Sequence, residues 1–193
     1  MCNYLYLHIF FYCTIFPFLV HCVTSCYRCE PWRYSIIKGS QNIEQYFDFI
    51  DHWYQEHADD IPDEDLKKVQ NKLPHVRESW PYKVSHMIII GMKRQARPDR
   101  RLPEWEEISA VAMSVQNIYL MTTTLNGVGG YWSSQLWSEK ALNSEEFREK
   151  YFGDLLKDSE DRVFGMFVLG KYDDSQQYQS VRSDIQTKIK KIF

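Results

Sequence analysis

Apolar residues follow two rhythms along this chain, a helical spacing near 3.6 and short unbroken runs, and together they predict helices interleaved with strands. Residues 33–38 (Arg-Tyr-Ser-Ile-Ile-Lys) read as a short strand closed by Gly39 and Ser40. From 41 to 56, Ile43, Tyr46, Phe47, Ile50 and Tyr54 fall at helical spacing and leave an acidic outer face. The stretch 60–81 is polar and punctuated by prolines, which predicts a short helix over 63–72. Residues 84–92, rich in Ile, read as a buried strand.

Pro103 and the carboxylates Glu104, Glu106 and Glu107 open a helix in the favoured way, with negative charge near its positive end. That helix runs on over 108–125 without a charged residue. Ile108, Val111, Ala112, Val115 and Tyr119 make one apolar face, while Met113, Ile118, Leu120, Met121 and Leu125 populate others. A helix apolar on most sides is buried in a core or at a subunit interface. Its Ser, Gln, Asn and Thr residues count against a bilayer span. Gln116 and Asn117 are expected to form hydrogen bonds within the buried packing.

The sequence Asn126-Gly127-Val128-Gly129-Gly130-Tyr131-Trp132-Ser133-Ser134 follows as a glycine-dense loop. Glycines let a backbone approach a ligand or take positive φ, and the adjacent Tyr and Trp offer a flat apolar surface suited to a planar ligand. A plain helix C-terminus at Gly127 accounts for one of these glycines without any ligand. Residues 138–156 read as helix with a cap-like start at Asn143-Ser144-Glu145-Glu146, and 162–170 as another apolar strand. A polar tail begins at Lys171. The interleaving implies an α+β layer structure.

With 193 residues the chain can build one domain with a sizeable core, and a net charge of −3 argues against a general nucleic-acid binder. Nine acidic residues and no Lys or Arg lie between Gln41 and Leu66, whereas Lys93, Arg94, Arg97, Arg100 and Arg101 crowd together. Each reads as a solvated face or loop, with nucleotide steering as the alternative for the basic cluster. All five cysteines fall within the first 29 residues, so the body reads as a protein of a reducing compartment and the expected location is cytoplasmic. Cys26 and Cys29 have CxxC spacing but no companion pair or suitably spaced His, and no metal site is expected. Residues 1–27 lack Asp, Glu, Lys and Arg, and 4–23 are mostly apolar. Three alternatives remain open for that segment: a signal peptide, a membrane anchor, or a start not native to the domain.

Three segments in order carry a resemblance: Glu30-Pro31-Trp32-Arg33-Tyr34; Pro103-Glu104-Trp105-Glu106 leading into residues 110–117; and Gly127 to Ser134, with 162–170 as a late core strand. In these the chain resembles the FMN-dependent nitroreductase family. The resemblance implies a mixed sheet flanked by helices around a long buried central helix, a domain over 28–173 and a polar tail over 174–193. It also implies a homodimer with FMN at the interface, and ping-pong hydride transfer from NADH or NADPH through the flavin to a nitro compound, quinone or similar acceptor. The cofactor performs that chemistry, so no catalytic side chain is expected. The cofactor-binding positions implied are Arg28, Glu30, Pro31, Trp32, Arg33, Gly129, Gly130, Tyr131, Trp132, Ser133, Ser134 and Arg182.

The chain departs from the family where an amino-terminal Arg-Arg-Ser type motif would bind the FMN phosphate, and has Ser133 at a position that is often Arg. Arg28, Arg33, Lys171 and Arg182 are the replacements on offer. The departure motivates an alternative: a non-catalytic or truncated relative that binds no flavin and serves as a dimerising or binding module.

Overall fold

A computed structural model describes residues 29–95, 101–133, 138–171, 182–188 and 190. Four strands, β1 (Trp32–Lys38), β2 (Val84–Met92), β3 (Val128–Ser133) and β4 (Arg162–Lys171), form one sheet in the order β1-β2-β4-β3. Every pairing is antiparallel. The helices are α1 (Ser40–Glu56), α2 (Asp63–Lys83), α3 (Glu104–Thr123), α4 (Glu139–Leu142) and α5 (Glu145–Phe152), so the chain is α+β.

Alternation along the strands divides the core between the two faces of the sheet. Ile37, Met87, Ile89, Met166 and Val168 meet Ile43, Tyr46, Phe47 and Ile50 of α1, together with Leu73 of α2 and Phe147 of α5. On the other face, Trp32, Ile88, Ile90, Met92, Phe167 and Leu169 meet Ala110, Val111, Val115 and Ile118 of α3. Where Ile89 pairs with Met166 but Gly91 pairs with Val163, β4 carries an extra residue, and Gly165 takes φ 104° in the resulting bulge. Glycine is the residue that adopts this conformation without a Cβ penalty.

Four expectations need correction. The helix predicted over 63–72 continues to Lys83 through Pro74 and Pro81. An interior proline costs about 3 kcal/mol, and here the apolar stripe Val69, Leu73, Val76 and Trp80, packed into the α1-side core, holds the helix together. The single helix predicted over 138–156 is two. Ser138 and Ser144 each cap one, accepting from the backbone N–H of Ala141 and Phe147. Between them the Asn143 side chain accepts from Val163 N–H at 2.8 Å and donates to its carbonyl at 3.3 Å, binding the turn to the start of β4.

The glycine-dense stretch is a strand from Val128, with only Gly127 in the left-handed region before it at φ 71°. Finally, α3 is buried on one side within a single chain, which leaves the subunit-interface alternative for its other side and corrects the expectation of buried packing for Gln116. Its sheet-facing stripe is Ala110, Val111, Ser114, Val115, Ile118 and Thr122, whereas Trp105, Ile108, Met113, Tyr119 and Leu120 are exposed. Gln116 is exposed as well. Among the described residues no helix is long and apolar enough to cross a membrane. The apolar run 4–23 lies outside them.

Candidate functional site

β3 is an edge strand, and its one described neighbour is β4. Tyr131 and Trp132 project from it half-exposed, while Ser133 is buried. The Trp132 indole donates to the Phe164 carbonyl at 3.1 Å, which fixes the ring along the strand. Partial burial raises the Tyr131 phenol above its ordinary range, so the group is a neutral donor at physiological pH.

A cleft of about 970 Å³ opens at the end of the sheet where β3 begins and β4 ends. Gly127, Gly129, Gly130 and Tyr131 line it, with Trp80 and Lys83 of α2, Tyr119 and Thr122 of α3, Asn126, and Gly170 and Lys171 of β4. Its size is within the range of a small-molecule site, and its lining mixes apolar and polar groups in nearly equal measure. Lys83 was invisible to the sequence reading because that reading ended the α2 helix at residue 72.

Gly130 owes its lack of a side chain to the core. A Cβ there would lie 2.7 Å from the Phe167 ring and 2.9 Å from Leu169. Gly170 is likewise demanded by packing, since its Cβ would meet the Lys83 carbonyl oxygen at 2.2 Å. Neither glycine widens the cleft.

The segment before β1 stands elsewhere. Trp32 is buried against the α3-side core, and Pro31 is buried beside it. Glu30 has φ 45°, and Arg33 holds that turn by donating to the Glu30 carbonyl at 2.8 Å and the Trp32 carbonyl at 2.7 Å. β1 and β3 are opposite edges of the sheet, three strand spacings or about 14 Å apart. A single chain therefore brings Gly129, Gly130, Tyr131, Trp132 and Ser133 together but leaves Glu30, Pro31, Trp32 and Arg33 at the far edge. Arg182 is exposed. Arg28 and Ser134 lie outside the described residues.

Two polar networks secure the frame. Glu107, 1% exposed, is a hub rather than a helix-end charge. It pairs with the Arg94 guanidinium and accepts from Gln95 N–H at 2.9 Å. Asp161, also buried, accepts from Arg94 N–H at 2.9 Å and Asp158 N–H at 3.0 Å. Together they tie the end of β2 to the starts of α3 and β4. Nearer the middle of the sheet, Tyr34 of β1 is hydrogen-bonded to Ser114 of α3, whose hydroxyl also reaches the Val111 carbonyl. Burial pushes the Tyr34 phenol up to about 12, against the opposing effect of that bond.

No protein-family model matches the chain, and no curated protein sequence matches it. Solved structures do. The chain is similar to a nitroreductase-like family protein from Bacillus cereus, with 18% identity, 92% of this chain and 83% of that chain covered, and a TM-score of 0.62. It has the nitroreductase-like fold. A nitroreductase with bound FMN from Bacteroides fragilis NCTC 9343 is similar at 15% identity and TM-score 0.57, over 92% of this chain and 84% of that one. So is the FMN and NADPH-dependent nitroreductase NfnB from Sphigopyxis sp. strain HMH, at 13% identity and TM-score 0.55, over 92% and 86%.

Within this fold, the residues at the open edge of β3 suit a flat, anionic group. The half-exposed Tyr131 and Trp132 present ring surface to solvent, and among the described residues the cleft at the start of the strand is lined by Lys83 and Lys171 without an acidic side chain. Flat aromatic walls take a ring by stacking, and unpaired ammonium groups take an anion.

Proposed function

We propose that this chain is a flavin-dependent oxidoreductase of nitroreductase type that acts as a homodimer. When bound, FMN supplies the chemistry, accepting hydride from NADH or NADPH and passing it to a nitro compound, quinone or similar acceptor in two half-reactions. Tyr131 would wall the ring at the cleft, with Trp132 on the other face of the strand, the backbone of Gly129 to Ser133 would offer polar groups to its edge, and the Tyr131 hydroxyl stays protonated as a donor. The observation that carries the reading is the nitroreductase-like fold combined with the β3 strand, at the edge of the described sheet, whose Tyr131 lines the cleft.

The dimer rests on two features. Along α3 the exposed side holds Trp105, Ile108, Met113, Tyr119 and Leu120, and from residue 108 onward it carries no charge. An apolar patch of that length marks an interaction surface. A second copy of the chain also supplies what one copy separates, because its Glu30–Arg33 segment can complete a site whose other half is β3.

Titration with FMN tests this, read by quenching of flavin fluorescence. The expected result is stoichiometric binding and a yellow protein whose absorbance bleaches on adding NADH or NADPH. Colourless protein that cannot be reconstituted would overturn it.

A second reading, a dimerising protein of the same fold without flavin, is favoured by Arg33, whose guanidinium is engaged by backbone carbonyls, and by Gly130, whose vacancy the core already fills. Failure to bind FMN, with a dimer still seen by analytical ultracentrifugation, is its signature.

A further inference from the structure

We infer that Lys83 and Lys171, which both line the cleft, hold the phosphate of FMN. The inference rests on the flavin reading above and concerns how this chain's own residues meet the charged end of the cofactor.

The register places the two lysines. Val84 of β2 pairs with Gly170 of β4, and their chain neighbours, Lys83 at the end of α2 and Lys171 at the end of β4, both line the cleft. The Lys83 carbonyl oxygen lies 2.2 Å from where a Cβ on Gly170 would stand, so the backbones that carry the two lysines pack against each other. Lys171 also pairs with Val128, the first residue of β3, which joins this charge to the strand that carries Tyr131 and Trp132.

Among the described residues neither lysine has an acidic partner. Among the described residues the cleft lining contains no Asp or Glu. Its serine and threonine hydroxyls are committed elsewhere, with Ser79 donating to His75 at 2.9 Å, Thr122 to Ile118 at 2.8 Å and Thr123 to Leu120 at 2.6 Å. The cationic donors among the described lining residues are the two ammonium groups, beside the neutral donors Asn126, Tyr119 and Tyr131. The negative end of α3 points toward the same region, but turn bonds from Thr124, Leu125 and Val128 N–H already cap the carbonyls of Met121, Thr122 and Leu125.

Two ligands separate the charge from the ring: FMN, and riboflavin, which lacks the phosphate. The wild-type chain is expected to bind FMN more tightly than riboflavin. The double variant Lys83→Gln, Lys171→Gln should weaken FMN by about tenfold or more, as loss of two charge-assisted contacts implies, and leave riboflavin unchanged. The double variant Lys83→Arg, Lys171→Arg should retain FMN affinity, and its melting curve confirms the fold. Added salt should weaken FMN but not riboflavin. If FMN binds and the glutamine variant keeps wild-type affinity, or loses both ligands equally, the lysines do not hold the phosphate and the flavin reading still stands. If neither ligand binds the wild-type chain, the flavin reading fails and takes this inference with it.

Discussion

The carbonyl oxygen of Lys83 occupies the space beside Gly170, 2.2 Å from where a Cβ would stand. The last turn of α2 is thus seated directly on the end of β4, and this contact sets the floor of the cleft. The obstructing atom is backbone and cannot rotate aside, so Gly170→Ala must shift the helix, the strand or both. Overpacking of this kind costs about 1–3 kcal/mol, and chemical denaturation of the variant should show a loss in that range. An unchanged denaturation midpoint would mean that α2 does not pack there.

Glu107 and Glu106 are neighbours in sequence with opposite expected consequences. Glu107 is buried against Arg94, whose side chain is itself only 10% exposed. Glu107→Gln leaves that guanidinium without its counter-charge, and breaking a buried pair costs about 3–5 kcal/mol. Glu106→Gln, on the outer part of the same helix turn, should stay within about 0.5 kcal/mol. Urea unfolding of both variants decides the matter, and equal effects would refute a buried hub.

Much of this architecture was legible in the sequence. The apolar spacing of Ile43, Tyr46, Phe47, Ile50 and Tyr54 marked α1, and all five side chains are buried. The unbroken runs at 84–92 and 162–170 are β2 and β4, the two central strands. What escaped is what depends on contacts made at long range. Prolines 74 and 81 read as breakers because the packing of Leu73 and Trp80 that overrides them cannot be seen locally. The packing reason for a glycine at 130 was not legible, because Phe167, which fills the space of its side chain, lies 37 positions away in the sequence. Glu107 read as a helix-end charge because its partner Arg94 arrives from β2. The β3 edge was legible as residues but not as a strand, since two glycines weaken any strand pattern.

The exposed side of α3 should tolerate charge in a monomer and reject it in a dimer. Met113 and Leu120 are 44% and 52% exposed, so glutamate at either place buries no charge in a single chain. Met113→Glu combined with Leu120→Glu should leave the melting of an isolated protomer little changed. Sedimentation should show dissociation, and FMN affinity should fall with it because Glu30–Arg33 then no longer meets β3 of another copy. A variant that remains dimeric would show that this face is not the interface.

Alkaline pH should weaken the fold through its buried tyrosines. Tyr34 rises to about 12 through burial, Tyr46 is raised well above its usual range by burial and by neighbouring Tyr151 and Tyr54, and Tyr151 is raised by burial alone. In the unfolded chain these phenols ionise near pH 10. Below that value both states keep their protons and stability is unaffected. Above it the unfolded chain releases protons that the native state retains, so stability falls by about 1.4 kcal/mol per pH unit for each such tyrosine. For Tyr34 the loss runs from about pH 10 to about pH 12, where its native phenol ionises in turn. Tyr34→Phe removes that share, and although it also gives up the bond to Ser114, its stability should decline less steeply over this range. Denaturation midpoints measured between pH 9 and 12 for the two proteins check the slope, and parallel curves would show that Tyr34 is not held protonated by burial.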